Sequence, residues 1–180
     1  MLTPYFRKML GHSRSPARAH MADIFWSWVG AFLGIAAVAY INFSKLAQTD
    51  QVYLIASFGA SAVLLYGVVE SPLAQPRNLV GGHVLSALIG VSFFHLLGSQ
   101  TWLAAAGAVA TAIAVMHVSK TLHPPGGATA LIAVIGSDQI HALGYRYALI
   151  PAGLGALIML VIALFVNNIP HHRRYPHFWF

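Results

Sequence analysis

The sequence has no cysteine and only four acidic residues, and 8% of its residues are charged. The missing cysteines exclude disulfide cross-links and thiolate metal sites, and they leave the redox compartment undetermined. With so few carboxylates, we expect no bound metal ion. No ATP-binding loop is present either, so we expect no cofactor. A soluble domain carries about 25% charged residues, so the low charge already favours another class of protein.

Apolar residues make up 58% of the chain and the mean hydropathy is +0.69. A membrane crossing needs about 20 apolar residues, which allows about six crossings here. We therefore predict an all-α membrane protein with a single domain. The predicted apolar segments are 24–43, 52–69, 79–98, 102–118, 126–135 and 145–166.

Two of these segments are predicted to be broken. The fifth begins in His123-Pro124-Pro125, whose prolines lack backbone donors and disfavour helix in the residue before them. It is too short to cross as one helix, so we predict an extended approach followed by a half-helix. In the second segment Ser57 is a natural N-cap for a half-helix that begins near Phe58, although a continuous helix over 52–69 is equally compatible.

A weak internal repeat relates the two halves of the chain. The run Gly59-Ala60-Ser61-Ala62 resembles Gly127-Ala128-Thr129-Ala130. We predict two repeats of three segments, at 24–98 and 102–168. Three crossings per repeat would place the copies in inverted orientation, with a site near the membrane midplane. Alanine-rich helices also produce such matches by chance.

The net charge of +6 and the isoelectric point near 10.0 come mostly from the tails 1–22 and 169–180. Positive residues collect on the cytoplasmic side, so we expect both termini to be cytoplasmic. Lipid headgroups are then the expected partners, and nucleic acid is not. Six of the ten basic residues lie in these tails, namely Arg7, Lys8, Arg14, Arg18, Arg173 and Arg174. We also predict that Tyr175 and the aromatic residues after it anchor the tail at the membrane interface.

The motifs together resemble the HPP family of integral membrane proteins, over roughly Met21 to Trp179. The resemblance implies a small polytopic membrane protein of bacteria and plastids, some of whose relatives are implicated in moving nitrite. On this basis we expect the protein in a bacterial inner membrane. It implies no mechanism. The matching runs are 57–62, 71–78, 123–130, Asn167-Asn168 and 174–176.

Two half-helices that start near the midplane would present unpaired N–H groups and partial positive charge to a small anion. Glycines would admit the anion to the main chain, and hydroxyls would add donors. The alternative is that these small residues only let helices pack closely. The predicted substrate-binding residues are Ser57, Gly59, Ser61, His123, Gly126, Gly127 and Thr129.

His123 has two interpretations: it donates to an anion or carries a proton, or it is a buried neutral histidine bonded to a carbonyl. The sequence shows no second titratable group that clearly completes a proton relay. His83, His95 and His117 match no compact ligand spacing on a helix. A predicted gate or vestibule at the cytoplasmic edge consists of Glu70, Arg77, Asn78 and Lys120.

We therefore predict a membrane transporter or channel for a small inorganic anion, with nitrite suggested by the resemblance. The alternative is a non-transporting membrane scaffold or sensor. An intramembrane enzyme using His123 lacks a nucleophile, a base and an orienting acid together, so we expect no enzyme. A homodimer through a small-residue face is compatible with the sequence.

Overall fold

The computed structural model describes Phe6, Lys8, Met9, Ser15, residues 17–43 and residues 55–180. Every regular element within these residues is helical, which confirms the predicted all-α class. The α-helices are α1 (Met21–Phe43), α2 (Ser57–Ala62), α3 (Pro76–Leu97), α4 (Thr101–Val118), α5 (Pro124–Ile135), α6 (Asp138–Leu143) and α7 (Leu154–Val166). Arg7, Arg14 and residues 52–54, which belong to predicted elements, lie outside the described residues.

Within the described residues, three helical stretches are long and apolar enough to cross a membrane: Met21–Phe43, Pro76–Val118 and Asp138–Val166. The second has 43 residues, about twice the length that one crossing needs. It is interrupted by a 3-10 turn at Gly98–Gln100, and α3 and α4 pack along each other. This stretch is therefore a helical hairpin.

α2 and α5 are too short to cross a membrane on their own. α2 continues as a π-helical turn over Val63–Gly67, and α5 has 12 residues. At 1.5 Å per residue each is about 16–18 Å long, against a hydrocarbon core of about 30 Å. α5 begins at Pro124 after an extended His123 (φ −138°, ψ 103°), two residues before the predicted apolar segment 126–135. Prolines suit the first turn of a helix, because an N–H there has no intrahelical partner.

The predicted N-cap at Ser57 is wrong by one residue. Ala56 occupies that position and makes no side-chain cap, while Ser57 is the first helical residue. The N–H groups of Phe58 and Gly59 bond to the carbonyls of Ile55 and Ala56. Local main-chain carbonyls therefore satisfy the start of α2, and the Ser57 hydroxyl is left for a tertiary contact.

The last predicted segment, 145–166, is not one helix. It comprises a 3-10 turn (Gly144–Ala148), a turn at Leu149–Gly153 in which Ile150 is extended, and then α7. Gly144 has φ +52°, a conformation that favours glycine and that ends the short helix α6. The apolar pattern predicted the crossing but not this kink.

α3 and α5 run parallel and approach so closely that their backbones touch. A Cβ added at Gly82 would lie 2.6 Å from the Cβ of His123, and one added at Gly90 would lie 2.5 Å from the carbonyl oxygen of Ala130. Between them, Gly126 packs against Ser86. Small residues at these positions give the two helices their contact.

α1 and α7 pack against α2 through two aromatic side chains. Tyr66 lies directly over Gly30 and Gly34 of α1, and its hydroxyl donates to the carbonyl of Met159 at 3.1 Å. Phe58 lies against Gly155 of α7. These contacts attach the short second helix to two longer ones.

The start of α1 and the chain after α7 meet at one end of the molecule. The Arg173 side chain is 7% exposed, and its Nε donates to Asp23 Oδ1 at 2.8 Å. The guanidinium also donates to Ser27 Oγ at 3.1 Å and to the Tyr66 carbonyl at 3.3 Å. His172 Nε2 lies 3.1 Å from the same carboxylate and adds a second contact between the two ends.

The predicted interfacial anchor at Tyr175 is wrong, because this side chain is 2% exposed inside the protein. Its hydroxyl donates to the Ala74 carbonyl at 2.8 Å, and the Asn168 side chain bonds to both its N–H and its carbonyl. The His177 N–H donates to Gln75 Oε1. The C-terminal residues therefore dock on the loop before α3.

The Asp23–Arg173 contact predicts that both ends of the membrane domain lie on the same side of the membrane. Single cysteines report this cleanly, because the chain has none. Exposed Glu70→Cys and His171→Cys should react with an impermeant maleimide from one side, and Ser99→Cys and Gln139→Cys from the other. Labelling of the first two positions from opposite sides would contradict the fold.

The α3–α5 contact predicts a difference between neighbouring glycines. A Cβ at Gly126 would lie 2.7 Å from Ser86 Oγ and 2.9 Å from the Gly82 carbonyl oxygen, so Gly126→Ala should cost about 1–3 kcal/mol of stability. At Gly127 the nearest atom is 3.8 Å away, in Val109, so Gly127→Ala should be neutral or slightly stabilising. Thermal unfolding in detergent measures both, and equal losses would refute the packing argument.

Candidate functional site

Five buried polar side chains meet where α2, α3 and α5 pack together. Each is at most 1% exposed. They form what we call the imidazole–hydroxyl cluster: Ser57, Ser61, His83, His123 and Thr129. Four were predicted as substrate-binding residues, and His83 was not.

Both imidazoles bond to one hydroxyl. His123 Nε2 lies 2.9 Å from Ser61 Oγ, and His83 Nε2 lies 2.8 Å from the same oxygen. The other ring nitrogen of His123, Nδ1, donates to the Leu73 carbonyl at 2.7 Å. Ser61 therefore links the two rings, whose centroids are 5.1 Å apart.

The chain of hydrogen bonds continues beyond His83. His83 Nδ1 lies 2.7 Å from Thr129 Oγ1, which donates to Ser57 Oγ at 2.9 Å. The Tyr147 hydroxyl donates to the Thr129 main-chain carbonyl at 3.1 Å. An unbroken polar path thus runs from the Leu73 carbonyl to Ser57 through an otherwise apolar interior.

These contacts show how the two short helices lie. Ser57 at the start of α2 is opposite Thr129 within α5, while Ser61 one turn later is opposite His123 at the start of α5. The helices are therefore antiparallel and overlap through their first turns. Their starts lie side by side, with the His83 ring of α3 bridging them.

The local sequence explains why the rings meet. Gly82 lets the residues before α5 approach α3, because a Cβ there would lie 2.6 Å from the Cβ of His123. His83 is the next residue and projects towards α2, where the Phe58 ring packs edge-on at 5.3 Å between ring centroids. Glycine and histidine side by side thus place both imidazoles in one layer.

The first turn of α5 offers few main-chain donors in this conformation. Pro124 and Pro125 have no N–H, and the Gly126 N–H donates to the His123 carbonyl at 2.8 Å. The Gly126 N–H is therefore already paired and is not free to bind an anion in this conformation. The polar groups that converge are the side chains of the imidazole–hydroxyl cluster.

The three predicted glycines do not join the cluster. Gly59 is exposed, with nothing within 4 Å of an added Cβ. Gly126 is buried against Ser86, and half-buried Gly127 faces Val109. Of the three, Gly126 lies at a close helix contact, which was the alternative interpretation, whereas Gly59 and Gly127 have room for a larger side chain.

The predicted gate residues lie near one end of the molecule but form no single group. Asn78 Nδ2 donates to the Leu122 carbonyl at 2.9 Å and so joins the start of α3 to the approach of α5. Arg77 has a buried Nε without a partner, and no ion pair joins it to Glu70 within the described residues. Lys120 is exposed in the turn after α4, with φ 56°.

A pocket of about 300 Å³ lies at the same end, lined by Ala19, Asp23, residues 67–70, His172 and Arg173. The loop between α2 and α3 supplies Glu70 to this pocket and the Leu73 carbonyl to His123. One loop therefore contacts both the open pocket and the buried cluster.

Sequence reasoning missed His83 because its spacing to the other histidines suggested no ligand pair. The informative signal is local: a histidine directly after Gly81-Gly82 inside an apolar crossing helix. Ionisable residues in such helices are rare and usually face the bundle interior. Here the partners of His83 come from two other helices, so spacing along α3 could not reveal them.

The chain matches the family described as HPP, transmembrane region, over residues 16–176. It is 46% identical over 178 residues to one transmembrane protein of Dictyostelium discoideum, and 43% identical over 180 residues to another. Each alignment covers 97% of this chain, but the chain spans only 57% and 63% of the lengths of these curated relatives. No solved structure matches.

Both relatives come from a eukaryote, so the comparisons do not support the predicted bacterial inner membrane. They do support a membrane protein, in agreement with the three long apolar helical stretches. The match covers nearly the whole chain, and it includes the His-Pro-Pro box at the start of α5. The chain belongs to the HPP transmembrane family.

Proposed function

We propose that the chain transports a small inorganic anion across a membrane, with the imidazole–hydroxyl cluster as its site. The observation that supports this proposal is the buried polar path at the overlap of two short antiparallel helices. Nitrite is the candidate substrate that the family resemblance suggests. No separate observation favours nitrite over other small anions.

The chemistry of the cluster suits a small anion. Imidazole N–H groups and hydroxyls donate hydrogen bonds, and within the described residues no carboxylate bonds to either ring. Polar side chains inside a membrane domain are costly, and they commonly mark substrate or proton pathways. Site donors that also bond to one another can exchange partners, which favours release as well as binding.

The described charges suggest how the protein is oriented. Arg77 in the first turn of α3 lies at the end where α1 begins, as do Lys120, Arg173 and Arg174 on loops. Arg146 lies on the connection at the other end. We propose that the first end is cytoplasmic, because positive residues collect there. Arg77 and Lys120 would then attract an anion towards the inner side of the cluster.

The alternative is a membrane scaffold or sensor. One observation favours it: each side chain of the cluster already has a partner within the protein. A fully bonded polar core also stabilises a specific fold without binding anything. Flux through vesicles that contain only this protein separates the two functions, and conversion of the added anion would reveal an enzyme.

Ser61→Ala should reduce transport strongly, because it removes the hydroxyl that bonds to both imidazoles. Loss of buried hydrogen bonds costs about 1–3 kcal/mol, which corresponds to a fall of about fivefold to about 150-fold in rate. The assay is uptake of nitrite, nitrate, formate and chloride into vesicles containing the purified protein. Thermal unfolding shows whether the variant remains folded.

Ser92→Ala is the matched control. Ser92 also lies on a membrane helix and bonds to the Leu88 carbonyl and the Tyr145 hydroxyl, but it is remote from the cluster. It should transport like the wild type. Unchanged uptake in a folded Ser61→Ala variant would exclude the cluster as the site, and no uptake of any anion by the wild type would favour the scaffold.

A further inference from the structure

We propose that His83 and His123 share one extra proton through Ser61, and that an anion binds there together with that proton. The chain is then an electroneutral proton–anion cotransporter. This inference rests on the proposed transport function and adds its coupling ion. It follows from counting the hydrogens in the cluster.

The two ends of the polar path fix the outer hydrogens. The Leu73 carbonyl can only accept, so His123 Nδ1 carries a hydrogen. At the other end Thr129 Oγ1 donates its hydrogen to Ser57 Oγ, so it must accept the hydrogen carried by His83 Nδ1. Both imidazoles therefore carry their Nδ1 hydrogen.

A neutral imidazole with a hydrogen on Nδ1 has none on Nε2. Both Nε2 atoms face Ser61 Oγ, at 2.8 and 2.9 Å, and this hydroxyl has a single hydrogen to donate. One of the two contacts then lacks a hydrogen. The Ser57 carbonyl, at 3.3 Å, is a more distant acceptor for the Ser61 hydrogen.

One extra proton supplies the hydrogen that one of the two contacts at Ser61 Oγ lacks. The protonated ring donates from Nε2 to Ser61 Oγ, and Ser61 donates to Nε2 of the other ring. The nearly equal distances allow the two rings to exchange roles when the Ser61 hydrogen and the Nε2 proton each move across one hydrogen bond. The structure thus supplies the second titratable group that the sequence did not reveal.

Within the described residues, no carboxylate pairs with the charge of this proton. The described carboxylates are Asp23, Glu70 and Asp138, and none of them bonds to either ring. The titratable neighbours are the other imidazole and two tyrosines: Tyr147 bonds to the Thr129 carbonyl, and Tyr175 to the Ala74 carbonyl beside Leu73.

A buried unpaired charge is costly, whereas a bound anion neutralises it. The proton and a monovalent anion should therefore occupy the site together and leave it together. The pair carries no net charge, so its movement should not depend on the membrane potential.

The test uses the full chain in vesicles with nitrite as the probe and with the membrane potential clamped. An internal dye reports proton entry, and protein-free vesicles correct for nitrous acid that crosses unaided. We expect one proton per nitrite, an initial rate that rises up to about tenfold per pH unit of inward gradient, and no response to the potential.

Nitrite uptake that ignores the pH gradient or carries current would overturn this inference while leaving the transport function in place. Absence of uptake for nitrite, nitrate, formate and chloride would overturn both. His83→Gln and His123→Gln should each abolish the pH response, because an amide donates a hydrogen bond but takes up no proton. His95→Gln, on the exposed part of α3, should keep it.

If His83→Gln or His123→Gln fails to fold, the protonation state of the rings can be measured in the wild type without a transport assay. Nitrogen NMR of the ¹⁵N-histidine-labelled wild type, compared with His95→Gln, counts the charged rings. We expect one buried imidazolium, shared by two rings, when nitrite is bound. Two neutral buried rings in the presence of transported nitrite would overturn the proposal.

Discussion

Polar groups inside a membrane domain have no water to bond to, and this constraint determines the arrangement around the cluster. His83 and His123 lie within apolar surroundings, so their ring nitrogens must find partners in the protein. They find them in Ser61, Thr129 and the Leu73 carbonyl, at 2.7–2.9 Å. Three helices and one loop must therefore keep fixed positions for the path to remain complete.

Prolines and glycines in the backbone hold the helices in these positions, and the two residue types act in different ways. Pro124 and Pro125 start α5 beside the cluster, where a missing N–H leaves no unsatisfied donor in the apolar interior. Gly82 and Gly126 then bring α5 against α3 until main-chain atoms touch. The run 123–130, which was predicted to form part of an anion site, therefore places His123 and Thr129 in the imidazole–hydroxyl cluster.

The helical class and the start of α5 could be predicted from the sequence, because hydropathy and proline chemistry act over a few residues. Ser57, Ser61, His123 and Thr129 could also be singled out as polar residues in apolar segments. The role of His83 could not, since its partners come from α2 and α5, and spacing along one helix contains no information about them. The two inverted three-segment repeats remain a prediction; the antiparallel overlap of α2 and α5 is compatible with them.

The cluster as described is closed, because the cluster side chains bond to one another and to Leu73. If the proposed function holds, an entering anion replaces some of these bonds. The His123–Leu73 bond is only partly buried, whereas the bonds among the cluster side chains are buried. Leu73 lies on the loop that also lines the pocket near Asp23 and Glu70. The docked Tyr175 bonds to Ala74, the next residue of that loop. The position of the C-terminal residues is thus linked mechanically to the loop that closes the cluster on this side.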